Sequence, residues 1–278
     1  MTLTVFFAVL GAALLHAAWN AGVKTGTNKQ TAMLILTVWQ GVLGLLLVIW
    51  LPWPQAEVWP WLIASGVVHM FYQLFLAYAY EQGDLSRVYP LARGAAPMIV
   101  LMVSVLFLPD VVGPWEYAGV AVLGLGIVLM ARGALASGES RKLIPYALGA
   151  ACATAGYTVI DGIGARVGGD PVAYVAWLLL MAAFFYLPAV LVLKGPGIIY
   201  APAREWWRGS LIGAASLGAY GIAVWAMTQA PIALVAALRE TSILFAVLLG
   251  WFFFGDKMDR TKLSAAALIV AGVVLTRL

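Results

Sequence analysis

The chain is predicted to be an all-α integral membrane protein with ten transmembrane helices arranged as two inverted five-helix repeats. Three observations carry this: almost unbroken apolarity, regular polar interruptions, and a similarity between the two halves. Of the 278 residues, 64% are hydrophobic and only 10% charged, against about 25% charged in an ordinary soluble domain. The mean hydropathy is +0.97. The length divides into about ten segments of roughly 20 residues, each sufficient to cross a hydrocarbon core about 30 Å thick.

The spans fall near residues 3–22, 31–51, 58–80, 85–108, 114–132, 143–161, 171–193, 206–229, 232–254 and 262–277. The breaks between them are chemically sensible. Thr25 to Gln30 is polar, Pro52 and Pro54 follow span two, Pro109 to Pro114 follows span four, and Gly195 to Pro202 follows span seven. The N-terminus lacks a basic leader and runs into His16, Trp19 and Asn20, so it is expected to be the first helix and not a cleaved signal.

The longest polar stretch, Arg132 to Lys142, lies near the middle and divides the chain into repeats at 1–137 and 138–278. Shifting the sequence by 146 residues pairs Arg93 with Arg239, Phe107 with Phe253, Asp110 with Asp256, Ala121 with Ala267, Gly126 with Gly272 and Leu129 with Leu275. Both blocks read as an Arg early in an apolar helix, an aromatic exit, an acidic turn and a Gly-containing final helix. An odd number of crossings per repeat forces the second copy to enter the membrane upside down, the arrangement of many secondary transporters.

Orientation follows from the basic residues. Lys24, Lys29, Arg87, Arg132, Arg141, Lys142, Lys194, Arg204, Arg208, Lys257, Arg260 and Lys262 fall at odd-numbered connections, while only Arg166 and Arg277 fall on the other face. A ratio of twelve to two places the odd connections in the cytoplasm and both termini outside, across an inner membrane. The net charge of +4 is therefore a topology signal, and no nucleic-acid partner is expected.

Ionisable groups within a bilayer cost about 2.5 to 3.5 kcal/mol at a helix centre on insertion scales, so those present usually face a cavity or a partner. Arg93 and Arg239 are the sharpest cases, at matched positions of the two repeats. A guanidinium there could hold a substrate carboxylate through its forked donors; it could also reach the interface or pair with Glu240, Glu81 or Asp84. Span one carries His16, Asn20 and Lys24 along one face beside Trp19. Span three carries Ser65, His69, Tyr72 and Gln73, span six Tyr157 and Asp161, and span eight Ser216 and Tyr220. Together these stripes predict helices with one side on a polar cavity. Trp19, Tyr72, Tyr157 and Tyr220 would supply flat walls for a ring-bearing or cationic solute.

Several chemistries are missing from the sequence. It holds no His and Cys cluster at zinc spacing, no phosphate-cradling Gly-rich loop and no nucleotide-binding domain. No cofactor or metal is expected, and a membrane-embedded enzyme or receptor is a distant alternative.

The chain resembles the EamA type of the drug/metabolite transporter superfamily. The resemblance rests on LLHAAWNAGVK in span one, AYAYEQGDLSRVYPLARGAAP opening span four, YTVIDGIGAR in span six and ALRETSILFAVLLGWFFFGDKMDR across span nine. It covers the full length. Where the family usually has Gly-Glu after spans four and nine, this chain has Pro109-Asp110 and Gly255-Asp256, whose carboxylates are expected to cap the following helix. The resemblance implies a central cavity lined by spans one, three, four, six, eight and nine, and export of metabolites, often amino acids. The expected substrate-binding residues are Trp19, Asn20, His69, Tyr72, Arg93, Tyr157, Asp161, Tyr220, Arg239 and Glu240. Arg93 and Arg239 would take a carboxylate, and Asp161 or Glu240 an ammonium group. Gly162 to Gly169, Gly124 to Gly126, Pro90 and Pro97 are candidate bending points. Efflux of lipophilic cations is the alternative substrate class, and a monomer suffices for either.

Overall fold

The computed structural model describes residues 1–24, 28–82, 96–135, 142–254 and 260–277, with the side chains of 24, 130–135, 250, 253 and 254 left aside. Among these residues there is no strand. The helices are α1 (Leu3–Lys24), α2 (Lys29–Val48), α3 (Trp59–Gln82), α4 (Ala96–Phe107), α5 (Pro114–Leu135), α6 (Leu143–Gly168), α7 (Pro171–Lys194), α8 (Ala203–Gln229), α9 (Ile232–Arg239), α10 (Ser242–Phe254) and α11 (Arg260–Leu275). Seven helical segments among the described residues are long and apolar enough to cross a membrane, and α4 and the apolar part of α5 are shorter.

Local chemistry sets the boundaries. At the α6–α7 junction the order Gly-Gly-Asp-Pro stops one helix and starts the next. Gly169 takes φ +71, a conformation that favours glycine, and its N–H donates to the Ala165 carbonyl. The Asp170 carboxylate then accepts from the Val172 and Ala173 amides at 2.9 and 3.1 Å, with Pro171 in the first turn. Asn28 caps α2 in the same way. Span six therefore runs seven residues beyond the expected end at 161, continuing through Gly162 and Gly164. Both serve close approach: a Cβ at Gly162 would meet the Ile232 side chain, and one at Gly164 the Tyr174 ring at 2.6 Å.

Span nine departs most from expectation. It is broken between α9 and α10, where the Glu240 and Thr241 amides donate to the Ala237 and Leu238 carbonyls, both at 3.1 Å. These are three-residue spacings, so the chain tightens into a single 3-10 turn. The Thr241 hydroxyl also donates to the Leu238 carbonyl at 2.7 Å. Arg239, Glu240, Thr241 and Ser242 are all buried there.

The principal contacts pair α3 with α6, α5 with α11, α2 with α7, α1 with α8 and α3 with α7. Small residues permit the close ones. A Cβ on Gly119 would lie 2.7 Å from the Gly272 carbonyl, and one on Gly126 would lie 2.9 Å from that of Ala265, so α5 and α11 meet backbone to backbone. Outward faces are apolar, with Phe7, Leu46, Leu106, Leu125 and Phe184 exposed, as lipid contact requires. Trp50, Trp53, Trp115 and Trp207 are exposed at helix ends, where an aromatic belt belongs.

Candidate functional site

The described polar side chains converge inside the bundle at α3, α6, α7, α8 and the α9–α10 break. Asp161 is the centre. It is completely buried; the Tyr174 hydroxyl donates to its Oδ1 at 3.0 Å, and the Tyr220 hydroxyl donates to its Oδ2. An isolated carboxylate in an apolar interior costs several kcal/mol. Here two phenol donors from different helices, with Ser65 and His69 alongside, offset that cost.

Around this carboxylate stands an aromatic box. The His69 ring stacks on Tyr157 with centroids 4.2 Å apart and meets Tyr220 edge-on at 5.6 Å. Tyr157 in turn meets Tyr72 at 5.3 Å and Tyr220 at 5.8 Å, both edge to face. Tyr157 and Asp161 are one turn apart on α6, and Ser65, His69 and Tyr72 share a face of α3, so the 3.6-residue period aims each set inward. The Ser65 hydroxyl lies 3.1 Å from His69 Nδ1.

Arg239 completes the cluster from the helix break. Its guanidinium carbon lies 5.1 Å from the Tyr220 ring centroid, a cation–π distance. The residue is 5% exposed, yet its side chain has no hydrogen bond or ion pair among the described residues. Glu81, one suggested partner, is bound instead to Lys194 at 3.1 Å. Glu240 is buried beside Arg239 at the break. Arg93 and Asp84 lie outside the described residues.

The structure thus brings together His69, Tyr72, Tyr157, Asp161, Tyr220 and Arg239. The hydrogen bonds of Trp19 and Asn20, by contrast, remain on α1: the Trp19 indole N–H donates to His16 Nδ1 at 3.2 Å, and the Asn20 amide donates to the His16 carbonyl at 2.7 Å. Tyr174 was not anticipated. It stands in a wholly apolar stretch of α7, and only the packing of α7 against the small Gly164 brings its hydroxyl to Asp161.

A second polar assembly lies at one end of the bundle. Arg166 grips Asp110 with Nη1 at 2.7 Å and Nη2 at 3.2 Å, and also donates to the Met227 and Ala230 carbonyls at 2.8 and 3.0 Å. Asp110 Oδ2 accepts the Ile232 amide at 2.9 Å. The acidic turn therefore caps α9, not the following helix α5 as expected, because the chain reverses there against the start of span nine. The counterpart turn at Asp256 lies outside the described residues. Near the opposite end, Asn28, Gln30, Glu81, Lys194, Tyr200 and Glu205 line a cleft of about 420 Å³. No group of His, Cys, Asp and Glu able to hold a metal occurs among the described residues.

Apolar helices enclosing a buried carboxylate, a cation and aromatic walls define an integral membrane protein built to handle a polar solute. The chain belongs to the EamA-like transporter family, which it matches over residues 3–132 and again over 141–278; the family lies in the drug/metabolite transporter superfamily and consists of transporters, not enzymes. It is similar to the pseudopaline exporter CntI of Pseudomonas aeruginosa, in two strains, with 26% identity over 97% of this chain and 94% of that protein. A protein of known crystal structure shares the fold, with a TM-score of 0.73 and 19% identity over 98% of this chain and 94% of the other.

Proposed function

We propose that the protein exports a small carboxylate-bearing metabolite across the inner membrane by alternating access, with amino acids, aromatic ones first, as its substrates. The observation that carries this is Arg239: a buried guanidinium with no ion pair among the described residues, held at a helix break beside an aromatic box. A substrate carboxylate would take its donors, an ammonium group would approach Asp161, and Tyr72, Tyr157 and Tyr220 would enclose an aromatic side chain. His69 stacks within the same box. Arg93, Trp19, Asn20 and Glu240 are proposed to join when the path opens.

The pathway is proposed to run between two inverted five-helix repeats, 1–137 and 138–278, making ten crossings. The paired family match supports the duplication. So does the packing: α1 against α8 mirrors α6 against α3, and α2 against α8 mirrors α7 against α3. The contact of Gly119 with Gly272 and that of Gly126 with Ala265 also exchange under the 146-residue shift, as a two-fold relation requires. With the basic connections in the cytoplasm, the Arg166–Asp110 assembly closes the outer end.

Counterflow into liposomes preloaded with amino acids tests the reading. Uptake of labelled phenylalanine or tryptophan is expected, and no uptake of any aromatic or aliphatic amino acid would remove this substrate class. The full-length similarity to the pseudopaline exporter favours one second reading, export of pseudopaline or a related solute, for which the same assay with pseudopaline is the test.

A further inference from the structure

We infer that Gln73 and Thr154 form a second polar subsite on the α3–α6 interface, one turn from the His69–Tyr157 stack, which receives an N–H donor group of the transported solute. The inference rests on the transporter reading above and adds a ligand group to it.

The geometry comes from the register of two antiparallel helices. Val58 lies against Gly168, Ser65 beside Asp161, Val68 against Gly156, His69 on Tyr157, Phe75 against Gly149 and Tyr78 on Tyr146. In every pair the two numbers add to nearly the same total, as an unslipped antiparallel contact demands. One turn beyond His69, the same register sets Gln73 across from the turn of α6 that carries Thr154. Gln73 follows Ser65 and His69 at steps of four, and Thr154 precedes Tyr157 and Asp161 at steps of three and seven, so both side chains point along the stripe that forms the site.

Both residues are at least nine-tenths buried, Gln73 at 4% and Thr154 at 3% exposed. The Gln73 Oε1 and Thr154 Oγ1 atoms have no hydrogen-bond partner. A buried polar atom without a partner carries a standing cost of about 1 to 3 kcal/mol, and here two such atoms sit at one level of one interface. A threonine inside a helix ordinarily relieves its hydroxyl on the carbonyl one turn back, and Thr37 does so to Met33 at 2.9 Å; Thr154 does not. What the pair lacks is defined by its atoms. The Gln73 amide oxygen accepts only and the Thr154 hydroxyl can also accept, so one group that meets both must donate, as an amine, amide or indole N–H does. Asp161 and Arg239 meet charge; this rung meets a neutral or cationic nitrogen at the far side of the stack.

The test uses full-length protein with Thr154→Val, which keeps the shape, and Gln73→Leu. Detergent-purified empty protein is melted by scanning fluorimetry. Each variant is expected to melt at or above the wild type, because an unmet polar atom has been removed; a lower melting temperature for both would show a structural bond and overturn the inference. This arm is independent of what the protein transports. In liposomes, the half-saturation concentration for tryptophan, whose indole carries a second N–H, is expected to rise about tenfold per variant, the worth of one hydrogen bond to a buried group. That for phenylalanine, whose single nitrogen is the one proposed for Asp161, is expected to stay within about twofold of wild type. Equal loss for both compounds, or no loss for tryptophan, would overturn the subsite. Failure of wild-type protein to carry either compound would count against the amino-acid reading, leaving the melting result to decide the pair.

Discussion

Arg166 and Asp110 form a two-pronged ion pair, at 2.7 and 3.2 Å, that ties the end of α6 to the turn between α4 and α5. The same two side chains also hold the Met227 and Ala230 carbonyls and the Ile232 amide. The end of α8 and the start of α9 are thus locked to both. Because Asp110 is only slightly exposed, removing its charge leaves a guanidinium short of a partner. Asp110→Asn is expected to lower stability by about 1 to 3 kcal/mol, measured as a fall in the detergent melting temperature. Under alternating access it should also change the transport rate, since this assembly must separate for the outer end to open.

Arg239 has its guanidinium over Tyr220 and no anionic partner among the described residues. Arg239→Gln is expected to reduce phenylalanine counterflow at least tenfold, equivalent to about 1.4 kcal/mol or more, with little change for phenethylamine, which has no carboxylate. Arg239→Lys should recover only part of the loss, because an ammonium group cannot present the planar fork. Equal effects on the two compounds would remove Arg239 from carboxylate binding.

The two phenols on Asp161 act on one carboxylate, so their removals should not add. Tyr174→Phe and Tyr220→Phe are each expected to cost about 1 kcal/mol, while the double variant should exceed their sum by 0.5 kcal/mol or more, a range typical of groups sharing a partner. Melting curves of the four proteins close the cycle. Gly164→Ala should resemble Tyr174→Phe, since its Cβ would displace the Tyr174 ring.

At the α5–α11 contact, a Cβ on Gly272 would come within 2.6 Å of the Leu123 amide. Gly272→Leu is expected to cost at least 2 to 3 kcal/mol through overpacking and to lower the yield of monodisperse protein on size-exclusion chromatography. Gly197, which has nothing near its missing Cβ, serves as the tolerant control in a Gly197→Ala variant.

Much of the candidate site was legible along single helices. Tyr157 and Asp161, or Ser65, His69 and Tyr72, lie on common faces by spacing alone, and burying such residues among lipid-facing apolar ones leaves inward as the only favourable direction. Tyr174 was not legible, because one polar residue in an apolar helix has no internal pattern and its partner is set by packing. The packing role of Gly162 and Gly164 was hidden for a related reason: a glycine run viewed along one helix names no partner, yet both make room for side chains from other helices. The break at Arg239 was equally hidden, since ALRETSILF contains neither glycine nor proline to announce it.

The sequence by itself determined that this chain is a membrane-embedded helical protein of the EamA-like transporter family, and which faces of its helices are polar. Those properties follow from hydropathy and the helical period, which act within one segment and need no partner. Only the tertiary structure decided that Asp161 is held by two tyrosines from separate helices and that Asp110 caps span nine, not its own neighbour. It alone set the Arg239 guanidinium over the Tyr220 ring, with no ion pair among the described residues. Each of these depends on the relative placement of helices far apart in the chain, which close approach at small residues and the pairing of buried polar atoms settle only when the whole bundle packs.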